Sequence, residues 1–462
     1  MFSFPDAARA LGVDLKFPDL ACRAKGASLD SRTLERGNLF IALKGGKEDG
    51  HRYLAAAFEK GASGALIHEG YLKNSSVSLS GLRNLLVSRA PGEDLLKLAA
   101  WHRSNFHPRT IAVTGSVGKT STKEFLGYIL SQSRPVLSNR GNFNNHLGLP
   151  LTLLELEAGH VYCVAEIGAN HPGEIRMLSG LLKPSTAVIT KIAPAHLEGF
   201  GSLEAIYDAK LEILESLRAD GCAVLPDDDE VLLTKARKFG VRIVTVGFTE
   251  RADYRISDLK AEAGRVHFRL NGKKYAFPGL GGFLAQNAAM ALAAACESGA
   301  GVETLPEFWR NFSLPPGRFE EKELPSGTRV IFDGYNASPA AFQAALRAYD
   351  ALEVRGRRLL VFSDMLELGA DEKKYHEQLG EWVAASQIDL VIAYGSRSRW
   401  AIDAARSRRP GLEARHFEEA PEAAGYLKHI LRSDDAVLLK ASRGMKIETV
   451  LEPEVFTGRH SA

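Results

Sequence analysis

Cysteine is scarce in this chain of 462 residues: the four present, Cys22, Cys163, Cys222 and Cys296, stand far apart and without metal-ligand spacing. That excludes a disulfide-stapled scaffold and a thiolate metal site, and fits reduced, buried thiols. Net charge is equally slight, +2 at pH 7, so there is no electrostatic case for nucleic acid or a membrane as partner. No apolar run is long enough to span a bilayer, and Met1-Phe2-Ser3-Phe4-Pro5-Asp6 has neither the basic region nor the apolar core of a signal peptide. The expected location is the cytoplasm. Internal repeats and low-complexity tracts are absent too. The remaining composition, 45% apolar and 25% charged, is that of a globular protein. The length exceeds what one core supports and predicts two to four domains.

One stretch stands out against this background, Thr110-Ile111-Ala112-Val113-Thr114-Gly115-Ser116-Val117-Gly118-Lys119-Thr120-Ser121-Thr122. It reads as a buried strand, a glycine turn and a helix start, an order suited to holding phosphate. Gly115 and Gly118 let backbone N–H groups turn inward, and the helix adds its positive N-terminal end. Lys119 supplies a point charge for the outer phosphates, and the Thr120 hydroxyl is placed to bind magnesium. The loop is tighter than the usual phosphate-loop pattern, with only Ser116 and Val117 between its glycines. The competing reading is a glycine turn that binds nothing, with Lys119 solvated.

Three α/β domains are expected. Residues 1–85 form a small unit with a strand at Leu39 to Leu43, a helix at Tyr53 to Lys60 and a polar glycine-rich turn between them. Residues 86–314 alternate short apolar runs (Ile111 to Thr114, Val161 to Ile167, Ala187 to Thr190, Ala223 to Leu225, Ile243 to Val246) with helical stretches, the pattern of a parallel sheet with crossover helices. Asn271-Gly272 turns a hairpin that reads as a small antiparallel appendage. A helix from about Phe283 to Cys296 follows, and Leu305, Phe308, Trp309 and Phe312 mark another. After Leu314-Pro315-Pro316-Gly317 the alternation restarts, so residues 315–462 are expected to form a doubly wound, Rossmann-like domain.

Several residues outside the loop suggest chemistry. Glu166 ends an apolar run at the carboxyl edge of a strand, where α/β sheets place ligands; a metal, a lysine or a structural ion pair would each satisfy it. His196, after the strand ending at Thr190, reads as a metal ligand, a base or a hydrogen-bonded loop residue. Lys210 lies in a helix on what would ordinarily be a solvated face. Asn142, Asn144 and Asn145 offer uncharged donors and acceptors to a polar ligand, or cap a turn. Ser31 and Arg32 pair a hydroxyl with a guanidinium, suited to an anionic ligand or to a solvated loop.

Four motifs together make the pattern specific: Thr-Gly-Ser-Val-Gly-Lys-Thr at 114–120, Gly-Asn-Phe-Asn-Asn at 141–145, Glu-Ile-Gly-Ala-Asn-His-Pro-Gly-Glu-Ile at 166–175 and Ala-His-Leu-Glu-Gly-Phe-Gly-Ser at 195–202. They resemble the Mur ligases of bacterial peptidoglycan synthesis, and the likeness runs nearly the whole chain. Ser363-Asp364-Met365-Leu366-Glu367-Leu368-Gly369 and Gly168-Ala169-Asn170-His171-Pro172-Gly173 favour the member that adds D-alanyl-D-alanine to UDP-N-acetylmuramoyl-tripeptide. The resemblance implies ATP and magnesium as cofactors, a monomer, and amide formation through an acyl phosphate. It further implies that Gly115, Ser116, Val117, Gly118, Lys119, Thr120 and Ser121 hold the phosphates of ATP. Asn287, Arg318 and Asp333 would contact its adenine, phosphate and ribose. Thr120, Glu166 and His196 would hold magnesium, and Ser31 with Arg32 the UDP end. Asn142, Asn144, Asn145 and Asn336 would contact substrate. Lys210 matches a position carbamylated in relatives; a carbamate mimics a carboxylate, whereas the free amine, with a reference pKa near ~10.4, would repel a metal. Two positions depart from the pattern: Leu284 stands where an asparagine is usual, and Lys191 likewise. A folylpolyglutamate synthetase, or a nucleotide-driven switch, is the alternative.

Overall fold

The structure, a computed structural model, describes residues 1–451 except 47, 73–80, 263, 302–308 and 310. Leu305 and Phe308, taken above to mark a helix, lie outside the described residues. Three α/β layers follow one another along the chain. The first is a five-stranded sheet ordered Asp14–Lys16, Leu85–Ser88, Gly64–His68, Leu39–Ile41, Ala27–Ser28, parallel except at its first pair. The strand Leu85–Ser88 therefore carries this sheet past residue 85.

The second layer is built on a nine-stranded sheet. Its parallel part runs Val136–Ser138, Tyr162–Glu166, Arg109–Thr114, Thr186–Ile189, Cys222–Pro226, Arg242–Gly247, Tyr254–Glu262. The hairpin Arg265–Leu270 and Lys273–Pro278 then continues the same sheet in antiparallel fashion. The expected antiparallel appendage is therefore part of the central sheet: Tyr254 pairs alongside Val246, and the hairpin covers what would be an open edge. Arg109–Thr114 lies between Tyr162–Glu166 and Thr186–Ile189, and its interior residues are fully buried, as a central parallel strand covered on both faces requires. Helices Lys119–Ser131 and Leu284–Glu297 pack on one face, where Phe125, Leu126, Ile129 and Leu130 sit on Ala288, Ala291 and Leu292. Burial of each such leucine or isoleucine contributes about 1.5–3 kcal/mol. On the opposite face, helix Pro91–Ser104 brings Leu95 and Leu98 into a core shared with Phe4, Leu39 and Leu66 of the first layer.

The third layer is a six-stranded sheet ordered Glu320–Glu323, Arg329–Phe332, Ala436–Lys440, Arg358–Ser363, Leu390–Tyr394, Glu413–Phe417, parallel except at its first pair. Cores on both faces mark it as doubly wound. Ser338 caps helix Pro339–Asp350 by accepting the Ala341 N–H, with Pro339 in the first turn. Asp333 follows one of these strands and Lys440 ends the next, at their carboxyl ends.

Candidate active site

The carboxyl edges of the second and third sheets face one another across a cavity of about 840 Å³. From the second come the turn Ser116 to Ser121 after Thr114, Glu166 at a strand end, and His196 in the loop after Ile189. From the third come Asp333, Asn336, Glu367 and Lys440. Asn142, Asn144, Asn145, Asn287 and Arg318 line the same space. Gly115, Lys210, Ser31 and Arg32 are not among its lining residues.

The loop geometry follows from its two glycines. Gly115 has φ +140° and Gly118 φ +93°, conformations that L side chains rarely adopt. A Cβ on Gly115 would sit 2.0 Å from Thr190 Oγ1, and one on Gly118 2.5 Å from Asn287 Oδ1. The Ser116 and Val117 N–H groups donate to the Lys191 carbonyl at 2.9 and 3.2 Å, so Lys191 acts through its backbone while its side chain is exposed. No side chain caps helix Lys119–Ser131, leaving its first N–H groups directed at the cavity. Lys119 folds back over the loop and donates to the Gly115 and Ser116 carbonyls at 2.9 and 3.1 Å. Burial lowers its pKa, opposed by the charge of Glu166 and assisted by that of Arg318.

Among the described residues, three buried polar atoms around the cavity have no partner: Ser116 Oγ, Glu166 Oε2 and Arg318 Nε. Leaving such groups unpaired costs about 1–3 kcal/mol each, more when charged, so the site is built for a polar, charged ligand. Glu166 Oε1 accepts from Asn144 Nδ2 at 2.7 Å. The Glu166 backbone is held on both sides by Asn139, whose Oδ1 accepts the Glu166 N–H at 2.9 Å and whose Nδ2 donates to its carbonyl at 3.0 Å. Asn139 escaped the sequence reading, although it lies three residues before the asparagine cluster. Asn145 spends its side chain on the fold, accepting the Leu147 and Gly148 N–H groups at the start of helix Gly148–Leu153.

Magnesium fits these donors. A free carboxylate oxygen on Glu166 and the hydroxyl of Thr120 are hard oxygen ligands, and magnesium ordinarily takes few protein ligands and completes its shell with phosphate and water. Among the described residues no group of three His, Cys, Asp or Glu side chains converges as a metal cage, so a fully protein-built site is not present there. Thr120 Oγ1 accepts from Arg318 Nη2 at 2.7 Å, and the Arg318 guanidinium lies 3.8 Å from the centre of the Tyr335 ring.

Lys210 departs most from expectation. It is 2% exposed, packed 5.2 Å from the Phe200 ring centre, and not on a solvated face. Burial first, and the charge of Lys119 second, push its pKa down to about 7. His196 Nδ1 is hydrogen-bonded to Glu367 Oε2, which with burial opposing holds that carboxyl below its ordinary range. Asp333 accepts the Phe319 N–H through Oδ1 at 3.2 Å and Lys440 Nζ through Oδ2 at 2.6 Å. Lys440, 1% exposed and also donating to the Asn336 carbonyl at 3.1 Å, is a second residue the sequence reading passed over. In the first layer Arg32 forms a bidentate pair with Asp30, with Nη2 to Oδ2 at 2.7 Å, and its side chain is 87% exposed.

The Mur ligase middle domain matches residues 113–295, and the glutamate ligase domain of the same group matches residues 317–443. A UDP-N-acetylmuramoyl-tripeptide–D-alanyl-D-alanine ligase of Bacillus subtilis (strain 168) is 34% identical over 432 residues, 92% of this chain and 92% of its own. The chain belongs to the Mur ligase family. Solved Mur ligases share its whole fold: a crystal structure of MurF from Acinetobacter baumannii superposes with a TM-score of 0.84 at 29% identity, covering 97% of each chain. MurF ligase from Thermotoga maritima, solved in complex with ADP, superposes with a TM-score of 0.78 at 29% identity, over 95% of this chain and 98% of that one. Like other Mur ligases the protein is an ATP-dependent ligase. No helix among the described residues is long and apolar enough to cross a membrane.

Proposed function

We propose that this protein joins D-alanyl-D-alanine to UDP-N-acetylmuramoyl-tripeptide at the expense of ATP, as a cytoplasmic step in peptidoglycan precursor synthesis. The observation that carries this reading is the single cavity into which the phosphate loop, Glu166 and the third sheet's Arg318 and Asp333 all point.

The chemistry demands that two anions meet. The terminal carboxylate of the tripeptide attacks the γ-phosphorus of ATP, the bond to ADP breaks, and an acyl phosphate forms. The free amine of the dipeptide then attacks the acyl carbon, loses a proton, and expels inorganic phosphate from a tetrahedral intermediate. Lys119 and the open helix end after Gly118 neutralise charge on the transferring phosphoryl group. Arg318 approaches the same group from the other sheet. Asn144 and Asn139 hold Glu166 with one carboxylate oxygen unpaired at the cavity, where Thr120 would share one magnesium site with it and His196 a second. Bound there, magnesium would supply further neutralisation of the phosphate oxygens. Asp333, fixed by Lys440, suits the ribose hydroxyls.

Ser31 and Arg32, in the first layer and outside the cavity lining, are assigned to the UDP end of the substrate, remote from its reacting carboxylate. A carbamate on Lys210 would convert a buried amine beside Lys119 into an anion and relieve the repulsion that lowers its pKa. In a purified system, sustained ADP release beyond one equivalent per enzyme should require magnesium, UDP-N-acetylmuramoyl-tripeptide and D-alanyl-D-alanine together. Release indifferent to the two acceptors would refute the reading.

A further inference from the structure

The motif Asp364-Met365-Leu366-Glu367 lies in the third layer, yet one of its side chains completes the second. Glu367 Oε2 bonds His196 Nδ1 across 171 positions of sequence, and the Glu367 carbonyl accepts the Glu198 N–H at 3.3 Å. Both ends of the contact are held in left-handed backbone, His196 at φ +53° and Glu367 at φ +64°. Neither is glycine, so each conformation costs free energy and persists only where the surroundings impose it.

Those surroundings are rigid on the third-layer side. The Met365 N–H donates to His376 Nε2 at 3.1 Å, and the Leu366 N–H to Ser442 Oγ at 2.9 Å. His376 is fully buried, its Nδ1 bonded to the Glu372 carbonyl at 2.7 Å. Asp364, nearly buried, accepts the Arg397 and Ser398 N–H groups at 3.1 and 2.8 Å. Glu367 is thus presented from a loop tied at three consecutive residues, Asp364 through its side chain and Met365 and Leu366 through their backbone N–H groups.

We propose that Glu367 is a positioning residue: docked across the cleft, it takes the proton of His196 Nδ1 into a hydrogen bond and leaves Nε2 as the lone-pair nitrogen facing the cavity. A carboxylate can only accept, so this contact selects the Nδ1–H tautomer. Imidazole in water prefers the opposite one. The ligand-bearing form of His196 is then favoured while the third layer is docked, which couples assembly of the metal site to domain closure. The inference deepens the ligase reading and rests on it for its activity arm alone.

Glu367→Ala and Glu367→Gln, made in the full chain, test it through two readouts. Long-range ¹H–¹⁵N spectra of histidine-labelled protein report the His196 tautomer without any turnover. The Nδ1–H form should dominate in the parent and in Glu367→Gln, whose amide oxygen still accepts, and give way to Nε2–H in Glu367→Ala. Binding of manganese with ADP, followed by paramagnetic resonance, should weaken about 10–100-fold in Glu367→Ala and less in Glu367→Gln. In turnover, kcat should fall in the same order with little change in the KM for D-alanyl-D-alanine. An unchanged tautomer, or manganese affinity equal in parent and Glu367→Ala, overturns the proposal even if the parent ligates. A parent that does not ligate, with the tautomer shifting as stated, refutes the ligase reading and leaves the positioning role standing.

Discussion

At the scale of single residues, the most informative group is Lys210. A helical position flanked by Asp208 and Glu212 reads as solvated, because periodicity reports which face a residue occupies and not what later folds over that face. Here the fold buries it against Phe200, and burial together with the charge of Lys119 drives the amine's pKa down to about 7. The sign follows from linkage. Between about pH 7 and the ordinary lysine range near 10.5, the unfolded chain holds a proton that the folded chain has released, so stability rises with pH across that window. The burial penalty is fully present below pH 7, where both states are protonated. In carbon-dioxide-free buffer, the stability of the parent relative to Lys210→Met should rise with pH from 7 to 10, by at most about 1.4 kcal/mol per pH unit. Urea denaturation at several pH values measures this; a flat difference would contradict the burial. Lys440 and Asn139 escaped notice for a related reason. A lysine ending an apolar strand and a lone asparagine carry no local signature, and their partners, Asp333 at 107 positions away and Glu166 at 27, are supplied only by the fold.

At the scale of elements, the strand, glycine turn and helix around Lys119 were legible because everything that defines them is local: an apolar run, two glycines, Lys-Thr and a helical repeat. The strand Arg109–Thr114 and the helix Lys119–Ser131 flank the loop as the pattern demands. The hairpin at Asn271-Gly272 was legible as a hairpin but not as an extension of the central sheet, since pairing of Tyr254 beside Val246 is a choice of edge that no short-range signal records. Strand Val136–Ser138 was missed altogether, being three residues long and preceded by Pro135. The loop also offers a sharp test of backbone fit. In Gly115→Ala the new methyl would meet Thr190 Oγ1 at 2.0 Å and its backbone nitrogen at 3.1 Å, with φ at +140°. Overpacking of this kind costs about 1–3 kcal/mol. The variant should show a lower denaturation midpoint and lose nucleotide binding; full stability and unimpaired ADP affinity would mean the loop is not held as described.

At the scale of the whole molecule, the second and third layers meet, among the described residues, through Arg318 on Thr120, Glu367 on His196 and the Glu198 N–H on the Glu367 carbonyl in the cleft, and through the Phe283–Phe319 ring pair beside it. Relative motion is the default for layers joined within one chain, and ligands that bridge both sheets add differential affinity for the docked state. The radius of gyration from solution scattering should therefore be smaller with an ATP analogue plus UDP-N-acetylmuramoyl-tripeptide than without ligands. Arg318→Ala should blunt that contraction. Profiles that superpose with and without ligands would argue against closure. The alternation of strands and helices foretold three α/β layers, but not that two carboxyl edges would face each other, because relative placement depends on the linker at Leu314 to Gly317 and on side chains distant in sequence.

The central claim is that the tripeptide carboxylate is activated by phosphoryl transfer before the amine arrives. It is tested most directly by turnover with tripeptide carrying ¹⁸O in its terminal carboxylate, followed by mass analysis of the phosphate released. An acyl phosphate requires one labelled oxygen to leave with each phosphate; phosphate free of label, with the amide product formed, would contradict it.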